Sequence, residues 1–103
     1  MKGIRLSDDQ ITIIRSVFKE CFLQEDQLWI FGSRADLSKR GGDIDLYVET
    51  KLRSADEIYE AENKFFCGLI RKLGDQKIDL VINSGSGKKL IYAIAKKTGV
   101  QLI

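Results

Sequence analysis

Three aspartates and a glycine–serine turn carry the chemistry this chain offers. Asp43 and Asp45 alternate with apolar residues in Asp43-Ile44-Asp45-Leu46, and Asp79 sits among Ile78, Leu80 and Val81, which should bury it. Ahead of them, the run Leu28-Trp29-Ile30-Phe31 ends in Gly32-Ser33-Arg34. Residues two apart on a strand project from one face, roughly 6–7 Å apart. If the strand bearing Asp79 pairs with the one bearing Asp43 and Asp45, three carboxylates converge. Three anions in a confined space repel, which raises their pKa values unless a cation lies among them. Magnesium, a hard divalent cation, favours such oxygen donors, above all when substrate phosphates complete its shell. Gly32 lets the backbone turn sharply and approach a phosphate, and the Ser33 hydroxyl can donate to the same oxygens. The combination points to a magnesium–nucleotide site.

Each part alone has a plainer reading. A single Asp-x-Asp on an alternating strand is usually a solvated face, and Asp79 alone is an ordinary strand-end carboxylate. Ser33 can serve as a helix cap. Arg34 either reaches a triphosphate or stays in solvent. Only together do these residues favour a site.

The elements that must position them are legible. Leu28–Phe31 reads as a short buried strand. Residues 35–42 are polar and read as a loop with at most one helical turn at its start. From Ile44 to Thr50 the period-2 pattern puts Ile44, Leu46 and Val48 on one face and Asp43, Asp45, Tyr47 and Glu49 on the other. Glu49 lies too far along the strand for metal contact, at ~3.3 Å of rise per residue. Lys77–Asn83 is the third strand. Helices frame these strands. Ser7-Asp8-Asp9-Gln10 forms a capping box ahead of an apolar stripe at Ile11, Ile14, Val17, Phe18, Cys21 and Phe22. Ser54-Ala55-Asp56-Glu57 forms a second, stronger box, because its fourth residue is Glu. The helix it opens carries Ile58, Ala61, Phe65, Phe66, Leu69, Ile70 and Leu73 and stops at Gly74. A last helix from about Lys88 to Thr98 turns Leu90, Ile91, Ile94 and Ala95 to one side. Val100–Ile103 is suited to a short fourth strand or to covering an edge. The order predicts one α/β (α+β) domain over 1–103, a small mixed sheet of three to four strands backed by helices.

Composition narrows the class. The 103 residues are 44% hydrophobic and 31% charged, ordinary for a globular domain with a single core. Seventeen Lys+Arg against 15 Asp+Glu give a charge of +2, too balanced for general nucleic-acid binding. Basic residues could cluster locally at Lys88-Lys89 and Lys96-Lys97. The absence of histidine excludes His-based catalysis and most zinc sites. Cys21 and Cys67 fall in apolar helical patterns and read as reduced core residues. No apolar stretch approaches the ~20 residues of a membrane span, and MKGIRLSDDQ lacks a signal core. The chain reads as cytoplasmic.

At Gly32-Ser33, Asp43-Ile44-Asp45 and Asp79 the sequence resembles the nucleotidyltransferase superfamily that includes DNA polymerase beta, and most of all its small stand-alone members, the minimal nucleotidyltransferases. Their pattern is an apolar strand, Gly-Ser, a loop of about ten residues, Asp-x-Asp between apolar residues, and a later acidic residue. Here nine residues, 34–42, separate Ser33 from Asp43. Two loop features depart from that pattern: Asp36-Leu37 stands where many members have a further glycine, and Gly42 where many have serine. The resemblance implies the nucleotidyltransferase fold and transfer of a nucleoside monophosphate, first of all AMP from ATP, with release of pyrophosphate. It implies two magnesium ions held by Asp43, Asp45 and Asp79, with Asp79 also suited to be the acceptor's base. Gly32, Ser33 and Arg34 would bind the nucleotide. The acceptor would be a protein or small-molecule hydroxyl, with a helical HEPN-type partner protein, as in antitoxin–toxin pairs, or a second copy completing the site. The alternative is a catalytically weak binding module that neutralises its partner by contact.

Overall fold

The computed structural model describes residues 5–35, 43–74, 76–85 and 89–103, with the backbone alone at Ser33. Four strands form one mixed sheet: β1 (Gln27–Phe31), β2 (Ile44–Glu49), β3 (Ile78–Asn83) and β4 (Val100–Gln101). Their spatial order is β3-β2-β1-β4. β1 pairs antiparallel with β2 and with β4, whereas β3 runs parallel to β2. The sequence-based expectation of a small mixed sheet backed by helices holds, including the fourth strand.

Two helices lie on one face of the sheet. The first, α1 (Asp8–Cys21), begins at a complete capping box: Ser7 Oγ accepts from the Gln10 N–H, and Gln10 Oε1 accepts from the Ser7 N–H. The second, α2 (Ala55–Leu73), has only the Ser54 half, an Oγ that accepts from the Glu57 N–H at 3.0 Å. The ranking of the two boxes is therefore reversed. Ser54 still supplies one acceptor to the donors every helix start leaves open. Ile11, Ile14, Val17 and Phe18 of α1 meet Ala61, Phe65 and Leu69 of α2 over Leu28, Ile30, Ile44, Leu46 and Val48. Phe18, Phe22 and Phe65 pack ring on ring at the centre. A Cβ at Gly68 would come within 2.8 Å of Val17, so glycine sets how closely the helices cross.

The third helix, α3 (Leu90–Thr98), covers part of the opposite face. Ala95 is fully buried there with Trp29, Phe31 and Tyr47, and Tyr92 packs against them. Of the apolar side of α3, Leu90, Ile91, Ile94 and Ala95, only Ala95 is buried. Leu90 is 79% exposed, and Ile91 and Ile94 also face solvent. A cluster of aromatic rings anchors the helix in place of the aliphatic stripe: Tyr47 lies between Trp29 and Tyr92, with centroids 5.3 and 5.6 Å away. The small Ala95 then permits close approach to the sheet.

One further expectation is corrected in part. Cys67 is exposed and not a core residue, whereas Cys21 is half-buried and packs against the α1/α2 core; both are free thiols. Burial raises the Cys21 thiol pKa, Glu20 adds to this, and Lys64 opposes it. Among the described residues no helix is long and apolar enough to cross a membrane.

Candidate active site

β1 delivers the chain to Gly32, where φ is +73°, a region glycine enters freely. One 3₁₀ turn, Gly32–Ala35, follows, so the helical turn begins at Gly32, ahead of the 35–42 loop. A Cβ on Gly32 would run into the Asp45 carboxylate. The turn and the acidic strand are thus in direct contact, and both the backbone angle and the space demand glycine. Phe31 lies opposite Asp45 in the β1–β2 register, which fixes this approach.

The parallel pairing of β2 and β3 sets Asp45 directly beside Asp79. The Asp45 pKa is raised, first by burial, then by the charge of Asp79 and a hydrogen bond between the two carboxyls, then by Asp43, with Lys77 opposing. Asp43 lies at the mouth of β2, its carboxylate 3.7 Å from Lys77 Nζ. The three expected aspartates therefore occupy one end of one sheet face: two in contact and the third on the flank with a lysine partner. Among the described residues no three carboxylate or thiol side chains are drawn together tightly enough to enclose an ion by themselves.

Asp79 is exposed, not buried by its apolar neighbours. β3 is an edge strand, and Ile78 and Leu80 turn to the α1/α2 side while Asp79 turns away from it. Arg34 neither dangles in solvent nor points freely at the site. Its Nη1 donates to the Arg5 carbonyl at 2.8 Å, and the Arg5 N–H donates back to the Arg34 carbonyl, tying the segment before α1 to the 3₁₀ turn. The Ser33 hydroxyl, the loop residues 36–42 with their two departures, and Lys88 lie outside the described residues.

Further along the same face the side chains satisfy one another. Tyr47 is fully buried, and its hydroxyl donates to Glu49 Oε2 at 2.7 Å and accepts from Asn83 Nδ2 at 3.0 Å. Burial, above all, pushes the Tyr47 pKa up to about 12. Lys96 pairs with Glu49 at 3.2 Å and lies over the Trp29 ring. Tyr47 and Glu49 are structural.

Two important residues escape sequence reasoning. Asp26, only 2% exposed, accepts from the Leu23 N–H, the Thr50 hydroxyl and the Lys51 N–H, locking the start of β1 to the end of β2. It reads as an ordinary turn residue because two of its three partners, Thr50 and Lys51, lie 24 and 25 positions away. Lys77 could have been found: parallel pairing of two strands that each begin beside a charge brings Lys77 to Asp43. The chain matches no protein-family model and no curated protein.

Proposed function

We propose that the chain is a magnesium-dependent nucleotidyltransferase, moving a nucleoside monophosphate, AMP from ATP first of all, to a protein or small-molecule hydroxyl. The carrying observation is the contact of Asp45 with Asp79 across β2 and β3, beside the positive-φ turn at Gly32. A fold gains nothing by holding two carboxyls together, since each disfavours the other's ionisation. A carboxyl whose pKa is raised by burial and by a neighbouring carboxyl, as that of Asp45 is, is a candidate functional group. Asp26 shows the structural alternative in the same molecule, a carboxylate met by three donors.

The donors are all oxygens, which suits magnesium. Asp43, Asp45 and Asp79 would hold it as two ions, and bound there it neutralises triphosphate charge and lowers the pKa of the acceptor hydroxyl. Gly32 brings main chain to the edge of the carboxylates, where a phosphate would lie. Asp79, the exposed member, is open to an acceptor arriving from solvent and takes its proton. The acceptor oxygen bonds to the α-phosphorus as the link to the β-phosphate breaks, and pyrophosphate leaves. Positioning and charge neutralisation carry such a reaction, so the lack of histidine is no obstacle. The free thiols fit a cytoplasmic setting.

Incubation with magnesium and labelled ATP, with and without a co-purified partner, tests the reading. Label transfer that Asp45→Asn abolishes supports it; no transfer and no nucleotide binding in the native chain sinks it.

A second reading, a module that neutralises a helical HEPN-type partner by contact, is favoured by the exposed Leu90, Ile91 and Ile94 on α3. It expects the double variant Asp43→Asn/Asp45→Asn to protect cells from the partner as well as the native chain does. Loss of protection excludes it.

A further inference from the structure

Among the described residues no strand pairs with the outer edge of β3. The Ile44 N–H donates to the Lys77 carbonyl and the Thr50 N–H donates to the Asn83 carbonyl, at the two ends of the β2–β3 ladder. A parallel ladder uses alternate residues of each strand. With the register Ile44↔Ile78 through Glu49↔Asn83, residues 77, 79, 81 and 83 spend their backbone groups on β2. Those of Ile78, Leu80 and Ile82 point outward. The Tyr92 hydroxyl donates to the Ile82 carbonyl at 3.3 Å. The N–H groups of all three residues, and the carbonyls of Ile78 and Leu80, have no other partner among the described residues. Edge strands are ordinarily blunted by proline, by a bulge or by a covering segment. The chain has no proline, and the register of β3 is unbroken.

Beside this edge lies a groove of ≈ 210 Å³ lined by Glu62, Asn63, Phe66, Ile78, Asp79 and Leu80. Phe66, 40% exposed, forms its apolar wall. A strand added to β3 would alternate its side chains between this groove and the face bearing Asp79. The charge around the edge is one-sided. Glu62 and Asp79 line the groove, Asp45 touches Asp79, and the nearby cation Lys77 is paired with Asp43.

We propose that β3 is a docking line for an extended, basic segment of a partner protein, which joins the sheet as a fifth strand. One set of its alternate side chains enters the groove beside Glu62 and Phe66, and the other set lies over Asp79, so cations are favoured on both sides. Charge selects this occupant over a second copy, which would bring its own Glu62 and Asp79 to the same line. Backbone pairing selects a polypeptide over a small molecule. The proposal concerns binding alone; because Asp79 belongs to both sites, a cationic segment and magnesium compete for it.

The test is amide hydrogen exchange, followed by NMR on the full chain, with a synthetic end-blocked peptide of alternating lysine and valine. The exchange of Ile78, Leu80 and Ile82 should slow on binding. A peptide N-methylated at alternate residues should give no protection. Replacing its lysines by glutamates, or Glu62→Lys in the protein, should weaken or abolish binding, by about tenfold or more for the glutamate peptide. Three results would overturn the proposal: equal binding of the N-methylated peptide, no protection at millimolar peptide, or protection that grows with protein concentration alone. The last would make the occupant a second copy.

Discussion

One face of β2 and β3 carries two regions of opposite character. At one end, Tyr47, Glu49, Asn83 and Lys96 close on each other in hydrogen bonds and an ion pair, roofed by α3. At the other, Asp45 meets Asp79 and a glycine turn, with no roof from α3's aromatic cluster. The strands are the same, and so is the alternation that aims the side chains. Among the described residues, the difference is whether polar groups meet complementary partners or, as at Asp45 and Asp79, another carboxyl. Buried polar groups normally find partners, at a net gain of about 1 kcal/mol each, and leaving one unmet costs more.

The comparison can be broken from either side. The largest effect falls at the open end. Asp45→Asn should lower nucleotide transfer by about a thousandfold, roughly 4 kcal/mol of transition-state stabilisation, with the fold intact by circular dichroism. Equal activity would show that the paired carboxyls do no chemistry. Next in size is Asp26→Ala, which strips the partner from two N–H groups and a hydroxyl. A loss of about 3 kcal/mol is expected in urea denaturation, without change in nucleotide affinity. Gly32→Ala should cost about 2 kcal/mol, from a strained φ and the collision with Asp45. Adding Asp45→Ala to it should recover part of that loss, since the collision partner is gone.

The smallest effect belongs to the closed end. Tyr47→Phe removes the hydroxyl between Glu49 and Asn83 and should cost about 1 kcal/mol. It also changes the pH profile. The folded Tyr47 hydroxyl ionises near 12, above its ordinary 10. Its contribution is complete below pH 10 and is lost as pH rises towards 12, because the unfolded chain gives up that proton first. Denaturation midpoints across this window should fall more steeply for the native chain than for the phenylalanine variant.

Much of this architecture was legible in the residues. Glycine at the end of an apolar run marked the turn, and the period of 2 in β2 placed Ile44, Leu46 and Val48 on the α1/α2 side, as found. Capping serines located the starts of α1 and α2. The failures share a cause, namely that hydropathy does not say which neighbour arrives. The apolar side of α3 did not reveal that Tyr92 and Ala95, and not its branched side chains, would meet the rings of Trp29 and Tyr47. Asp79 looked buried because its strand is apolar, yet an edge strand buries only the side its helices cover. Asp26 could not be distinguished from a turn residue until Thr50 was brought to it. For the site, sequence named the three aspartates and the glycine. Contact between Asp45 and Gly32, and the pairing of Asp43 with Lys77, required strand register.

The central claim is that the Asp45–Asp79 pair exists to hold a metal-bound nucleotide. Calorimetric titration with Mg·ATP, beside inorganic phosphate and beside the Asp45→Asn variant, addresses it most directly. The account predicts saturable binding of Mg·ATP, much weaker binding of phosphate, and loss of the Mg·ATP signal in the variant. Equal heats from the native and variant proteins, or none from either, would contradict it.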